Sequence, residues 1–171
     1  MDRLYREQAV NLILPASVTT GAGFFKQRIG STPVRVIEGE SWDAMAHSDL
    51  ALAASGTVTV EAALLGTPMV TFYKVTAASW LAGKFLVDVP FYSMVNLIAG
   101  RAIVPELMQG QMNGENLARE ATRLLRDEKV RSEMKAGLAE VREKLAGSAG
   151  APGRAAAAIQ EILEGQVTHV S

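Results

Sequence analysis

Four short β-rich runs, Asn11 to Pro15 (NLILP), Val34 to Ile37 (VRVI), Leu50 to Ala54 (LALAA) and Met69 to Tyr73 (MVTFY), alternate along the chain with segments of helical spacing. Parallel strands cannot be joined by a hairpin; each needs a crossover, and strands covered by helices on both faces read as continuous apolar runs. The alternation therefore predicts an α/β chain with a Rossmann-like three-layer α/β/α architecture, a mostly parallel sheet and C-terminal helices. A fifth, short strand is expected at Ala102 to Val104, after an apolar loop through Pro90 to Tyr92.

The helical segments carry their own punctuation. A short helix is expected around Phe24 to Ile29, and Ser41 is placed to cap a helix over Trp42 to His47 with Ala44 and Met45 facing inward. A helix beginning at Thr57 runs to about Leu65, where Gly66 ends it with Pro68 behind. Another is expected over Ala77 to Leu86. From Gly114 onward two long amphipathic helices, Glu115 to Arg126 and Lys129 to Leu145, turn Leu117, Ala121, Leu124, Leu138 and Val141 toward the sheet. The run Gly147 to Gly153 (GSAGAPG) reads as a linker before a last helix, Ala155 to Leu163. This divides the chain into a domain over 1–146, a linker at 147–153 and a C-terminal helix and tail at 154–171. The first strand has the character of a second strand, so the domain is expected to be incomplete at its N-terminus and to lie inside a larger protein.

Composition excludes several functions. With 17 Lys and Arg against 18 Asp and Glu, net charge is −1, which gives no reason to expect a nucleic-acid partner. There is no cysteine, and His47 and His169 stand apart, so neither a disulfide framework nor a metal site is expected. Asp2, Arg3, Arg6 and Glu7 break the start of any secretory signal, and Lys84, Asp88, Pro90 and Asn96 interrupt the most apolar stretch, Trp80 to Gly100. A cytoplasmic, metal-free protein without a membrane span is the expectation.

The chemistry concentrates in Ser55 to Val70, SGTVTVEAALLGTPMV. A strand that ends in Ser-Gly-Thr and passes at once into a helix leaves backbone N–H groups unpaired at the helix mouth, where the dipole also favours an anion. Gly56 allows close approach of a diphosphate, and Ser55 and Thr57 offer hydroxyls. Glu61 follows one turn later on the same face, placed to accept from vicinal ribose hydroxyls. The same residues also fit a plain helix start, with Ser55 as a cap and Glu61 as a solvated side chain.

Two longer blocks carry a family resemblance. DLALAASGTVTVEAALLGTPMVTFYKV, Asp49 to Val75, and VPFYSMVNLIAGRAIVPELMQG, Val89 to Gly110, the latter holding an Asn-Leu-x-Ala-Gly-Arg motif followed by Val-Pro-Glu-Leu and Gln, resemble the lipid-A-disaccharide synthase family. The similarity is strong over Trp42 to Gly110 and extends to the helical tail only in character. It implies one half of a GT-B fold, the donor-nucleotide half of an inverting hexosyltransferase of lipid A biosynthesis. The implied reaction moves 2,3-diacylglucosamine from its UDP carrier to 2,3-diacylglucosamine 1-phosphate and releases UDP. The implied substrates are thus UDP-diacylglucosamine and diacylglucosamine 1-phosphate, with no cofactor and no metal.

Carried over by position, Ser55, Gly56 and Thr57 hold the diphosphate, Glu61 the ribose, and Asn96 and Arg101 the donor sugar or phosphate region, with Glu106 contributing. Read without the resemblance, Asn96 is a helix cap and Arg101 half of a surface salt bridge. The family's glycine-serine-arginine motif and its acceptor-binding half are not in this sequence, so the group that deprotonates the acceptor is expected outside it. His47 is read as incidental.

The apolar segment Trp80 to Ile98 either covers the sheet or, helped by Lys74 and Lys84, touches the cytoplasmic face of the inner membrane. The C-terminal helix is a candidate contact for a homo-oligomer. Two rival readings stay open. One is a nicotinamide-binding Rossmann domain, from Gly21 and Gly23 after a strand and Glu38 or Glu40 after the next, although Lys26 replaces the third glycine of that fingerprint. The other is a non-catalytic nucleotide-binding module.

Overall fold

The computed structural model describes residues 2–7, 9–76, 89–146 and 151–163. In chain order it contains α1 (Asp2–Glu7), β1 (Leu12–Ala16), α2 (Ala22–Lys26), β2 (Val34–Glu38), α3 (Ser41–Ala46), β3 (Ala51–Ala54) and α4 (Thr57–Leu65). There follow β4 (Met69–Tyr73), α5 (Met94–Ala99), β5 (Glu106–Met108), α6 (Gly114–Arg126), α7 (Glu128–Ala146) and α8 (Ala151–Leu163). The helix expected over Ala77 to Leu86 lies outside the described residues, as do residues 80–88 of the apolar segment expected to be core or membrane surface and the first part of the expected linker.

All strand pairs are parallel, as the alternating pattern requires. β1 pairs with β2, Leu14 opposite Val36, and β4 lies between β3 and β5, Val70 opposite Leu52 and Phe72 opposite Leu107. Where one sheet is expected, the described strands form two, because nothing pairs β1 with β3. The fifth strand is also displaced, to Glu106–Met108. The N–H groups of Ile103 and Val104 donate to the Asn96 side chain instead of to a strand, so the ladder with β4 starts only at Glu106.

The core sits between β3–β5 and the helices that cover them. Met69 and Val70 of β4 are fully buried, as are Ala62 and Ala63 of α4, Val95 of α5, Leu124 of α6, and Leu138 and Val141 of α7. Small residues on α4 let it lie close to β3 and β4 on one side and against α3, α5 and α7 on the others. The predicted inner faces of α6 and α7 are the buried ones, with Ala121 closed off completely and Leu117 partly buried. α1 packs on α6 through the buried Leu4.

Helix ends differ in detail from expectation. Ser41 opens α3 as its first residue, with Glu40 in the cap position and no side-chain cap bond. Gly66 ends α4 as predicted, in the left-handed conformation at φ 72 with its N–H on the Ala63 carbonyl. α8 begins at Ala151, inside the run expected as linker, because Pro152 falls in the first turn, where its missing N–H removes no helical bond. Residues 152–163 of this helix are exposed along their whole length. Among the described residues no helix is long and apolar enough to cross a membrane.

Replacing Gly66 by Ala keeps the helix residues but forces a Cβ into the left-handed region, so unfolding in denaturant should show a loss of about 1 to 2 kcal/mol. A Gly66→Ala variant as stable as the parent would show that this turn relaxes without cost.

Candidate functional site

The carboxyl end of β3 feeds α4 through two residues. Ser55 continues the strand, its N–H on the Phe72 carbonyl, and Gly56 is almost fully extended at φ 159, ψ −164. Thr59, completely buried, donates both its N–H and its hydroxyl to the Gly56 carbonyl at 3.1 and 2.7 Å. That carbonyl is turned into the first turn of the helix and held there.

The N–H groups ahead of it are left over. Among the described residues no acceptor takes the N–H of Thr57 or Val58, and no side chain caps α4. Other helices of the same molecule close this position. Ser93 accepts from Asn96 N at the start of α5, and Asn113 from Asn116 N at the start of α6. Among the described residues, a Cβ added to Gly56 would meet nothing within 4 Å. Glu61, half-buried, has no hydrogen-bond or ion-pair partner among the described residues and lies one turn beyond Thr57 on the same helix face.

Beside this mouth runs the loop that enters α5. The Ser55 hydroxyl donates to the Tyr92 carbonyl at 3.0 Å, so its proton is directed to the loop. Glu106 holds the loop from beneath, one carboxylate oxygen accepting from Tyr92 N and the other from Ser93 N, both at 2.9 Å. Asn96 locks Glu106 in turn. Its side-chain amide donates to Glu106 at 2.8 Å and to the Val104 carbonyl at 3.0 Å, while its oxygen accepts from Ile103 N and Val104 N. With both donors and both lone pairs used and 1% of its surface exposed, Asn96 is fully committed inside the protein.

Ser55, Asn96 and Glu106, chosen from sequence, thus meet in one hydrogen-bonded network beside Gly56, Thr57 and Glu61. Two expectations change. Asn96 is neither the cap of α5, a role Ser93 fills, nor free to touch a sugar; it staples the 103–104 segment to the loop. Arg101 is not brought to the mouth. It follows the carboxyl end of α5, a six-residue helix about 9 Å long, and forms a two-pronged pair with Glu140 of α7 at 2.8 and 2.9 Å. The carbonyls at that end, of Ile98 and Ala99, accept from Lys144. Arg101 borders instead a groove of about 410 Å³ shared with Arg123, Val130 and Met134.

The second glycine-containing turn is built differently. Gly21, at φ 73, precedes the five-residue α2, and the Glu38 carboxylate accepts from Ala22 N at its start. The protein's own acid fills the place a pyrophosphate would need in the nicotinamide reading. His47 lies at the end of α3 with Nδ1 at 2.9 Å from the Asp43 carbonyl, a local contact. Among the described residues no three His, Cys, Asp or Glu side chains gather where they could hold a cation.

Sequence reasoning missed Thr59, Tyr92 and Ser93. The Ser93-x-x-Asn96 spacing carries a cap signal, whereas Tyr92 acts through its backbone and leaves none. Asn96→Ala should cost about 3 to 5 kcal/mol in chemical unfolding, since it strands the two N–H groups, a carbonyl and the Glu106 carboxylate at once. A loss under 1 kcal/mol would mean that water replaces the amide and that the staple is dispensable.

Comparison with known proteins brings one family forward. The family described as lipid-A-disaccharide synthetase matches residues 22–159. A lipid-A-disaccharide synthase of Solibacter usitatus is 82% identical over all 171 residues, which cover 45% of that protein. Counterparts in Syntrophus aciditrophicus and Nitrosococcus oceani are 40% and 38% identical over 86% and 96% of the chain, covering 39% and 43% of theirs. The chain thus spans less than half the length of these relatives.

Proposed function

The chain belongs to the lipid-A-disaccharide synthetase family, and from that membership together with the uncapped mouth of α4 we propose that it forms the UDP-donor site of a lipid-A-disaccharide synthase. The whole enzyme would transfer 2,3-diacylglucosamine from UDP to 2,3-diacylglucosamine 1-phosphate. The observation that carries this reading is the pair of N–H groups on Thr57 and Val58, without an acceptor among the described residues, at the positive end of a helix. Diphosphate oxygens would accept from these groups, and the leaving UDP would be stabilised as charge builds on it.

Glu61 would grip the ribose, its carboxylate accepting from the 2′ and 3′ hydroxyls. Asn96 and Glu106 would act without touching the donor, by holding Tyr92 and Ser93 against the mouth. Ser55, its proton given to Tyr92, would fix the same loop and offer the ligand only its lone pairs. Arg101 has no part at this mouth. The acceptor sugar and the group that takes its proton would belong to chain outside the 171 residues. Work on lipid substrates would bring the enzyme to the cytoplasmic face of a membrane, and the exposed α8 offers a surface for a second subunit.

Titration calorimetry with UDP and with NADH tests this. UDP should bind and NADH should not. Thr57→Pro removes one N–H at a first helical position where proline is tolerated, and Thr57→Ala keeps it. The proline variant should bind UDP at least ~10-fold more weakly than the alanine variant with similar thermal stability, one hydrogen bond to a charged group being worth about 1.5 to 3 kcal/mol. Equal affinities would remove the diphosphate assignment. Glu61→Ala should weaken UDP by about 2 to 3 kcal/mol and leave inorganic pyrophosphate unaffected; an unchanged UDP affinity would remove the ribose role.

A further inference from the structure

One face of α7 follows the chain between α5 and β5 contact by contact. Lys144 Nζ donates to the Ile98 and Ala99 carbonyls at 3.0 and 3.1 Å, and the Glu140 carboxylate accepts from two Arg101 nitrogens at 2.8 and 2.9 Å. Gly137, buried in α7, lies against Ile103: a Cβ added there would stand 3.0 Å from Ile103 Cγ2 and 3.1 Å from its Cβ. Positions 137, 140 and 144 are spaced by three and four, so they share a helix face, while their partners run from 103 back to 98. The connection from α5 to β5 therefore lies antiparallel along α7.

α7 itself is fixed. Met134, Leu138 and Val141 are buried in the core, and the Met134 sulfur accepts from Met69 N of β4 at 3.3 Å. An interior glycine weakens a helix, because it loses more conformational freedom on folding than any other residue. At Gly137 the missing side chain is what lets Ile103 seat this close, and tightly packed groups pass small displacements on instead of absorbing them.

From Ile103 the path to the α4 mouth is a chain of hydrogen bonds. Ile103 N and Val104 N donate to the Asn96 oxygen, the Asn96 amide donates to Glu106, and Glu106 accepts from Tyr92 N and Ser93 N. The Tyr92 carbonyl then accepts from the Ser55 hydroxyl, next to Gly56. Asn96 has every donor and lone pair in use, so a shift of Ile103 either breaks a bond or moves Glu106 with it. The Arg101–Glu140 pair acts at the other end of α5. With both side chains half exposed it adds little to stability, but its two-pronged geometry fixes where the helix ends.

We propose that Gly137 and Glu140 are positioning residues of the candidate site: through Ile103 and Arg101, α7 sets where the Tyr92–Ser93 loop stands and so how the α4 mouth meets its ligand. Chains of packed side chains and hydrogen bonds carry coupling of this kind. The placement of the loop stands on the contacts named above, whereas the effect on UDP rests on the donor-site reading.

Amide hydrogen exchange and UDP titration of the 171-residue chain and its variants test both parts. In Gly137→Ala the Tyr92 and Ser93 amides should exchange at least ~10-fold faster and UDP should bind at least ~5-fold more weakly. Thermal stability should hold, because alanine favours the helix. Glu140→Arg sets two cations side by side and should have the same effects, and adding Arg101→Glu, which rebuilds the pair in reverse, should restore both readings. Parent-like exchange at Tyr92 and Ser93 in Gly137→Ala and Glu140→Arg alike would overturn the proposal. So would equal acceleration at Ala53 and Val70 in the sheet, since the domain would then be loosened as a whole, or a reversed pair as loose as Glu140→Arg alone. A parent chain that binds no UDP removes the donor-site reading and leaves exchange at the loop to decide this one; UDP bound equally by the parent and by variants with a loosened loop would overturn the link to the mouth.

Discussion

Asn96 makes four hydrogen bonds from a side chain of which almost nothing is exposed, and the region around the candidate site depends on them. They tie Ile103 and Val104 to α5, so that bonding to β4 begins at the Pro105 carbonyl, which accepts from Thr71 N, and they present the Glu106 carboxylate to Tyr92 and Ser93. Buried amides of this kind are costly when half-satisfied and stiffening when complete. Here the set is complete, so the loop that meets Ser55 is fixed by bonds from within the domain.

The two glycine-containing turns show how one motif can be spent in two ways. At the start of α2 an acid from the following strand supplies the missing acceptor, which satisfies the backbone internally. At the start of α4 no side chain among the described residues does so, and Thr59 uses its hydroxyl to orient the Gly56 peptide while the Thr57 and Val58 amides are left without a described acceptor. A helix end without a partner is unfavourable unless water or a ligand meets it. The absence of a side-chain cap among the described residues is thus the feature that separates the α4 turn from the α2 turn, although both read alike as strand, glycine and helix.

The groove of about 410 Å³ lies elsewhere, at the far end of α5 beside Arg101. At the α4 mouth, by contrast, the N–H groups of Thr57 and Val58 have no acceptor among the described residues, and backbone donors of this kind need water, ligand or further chain to meet them.

Local rules were enough for much of this. The apolar runs, the Ser-Gly-Thr opening of α4, its glycine stop and the inner faces of α6 and α7 all depend on residues within a turn or two of one another, so spacing alone determined them. Which polar groups meet across long stretches was decided only by tertiary structure. Asn96 and Glu106 come together because β5 begins where it does, and Arg101 turns to Glu140 because α7 packs along α5, thirty-nine residues away in sequence. Periodicity records which face of an element is apolar, but not which partner a polar side chain finds there; that choice is made when the elements dock.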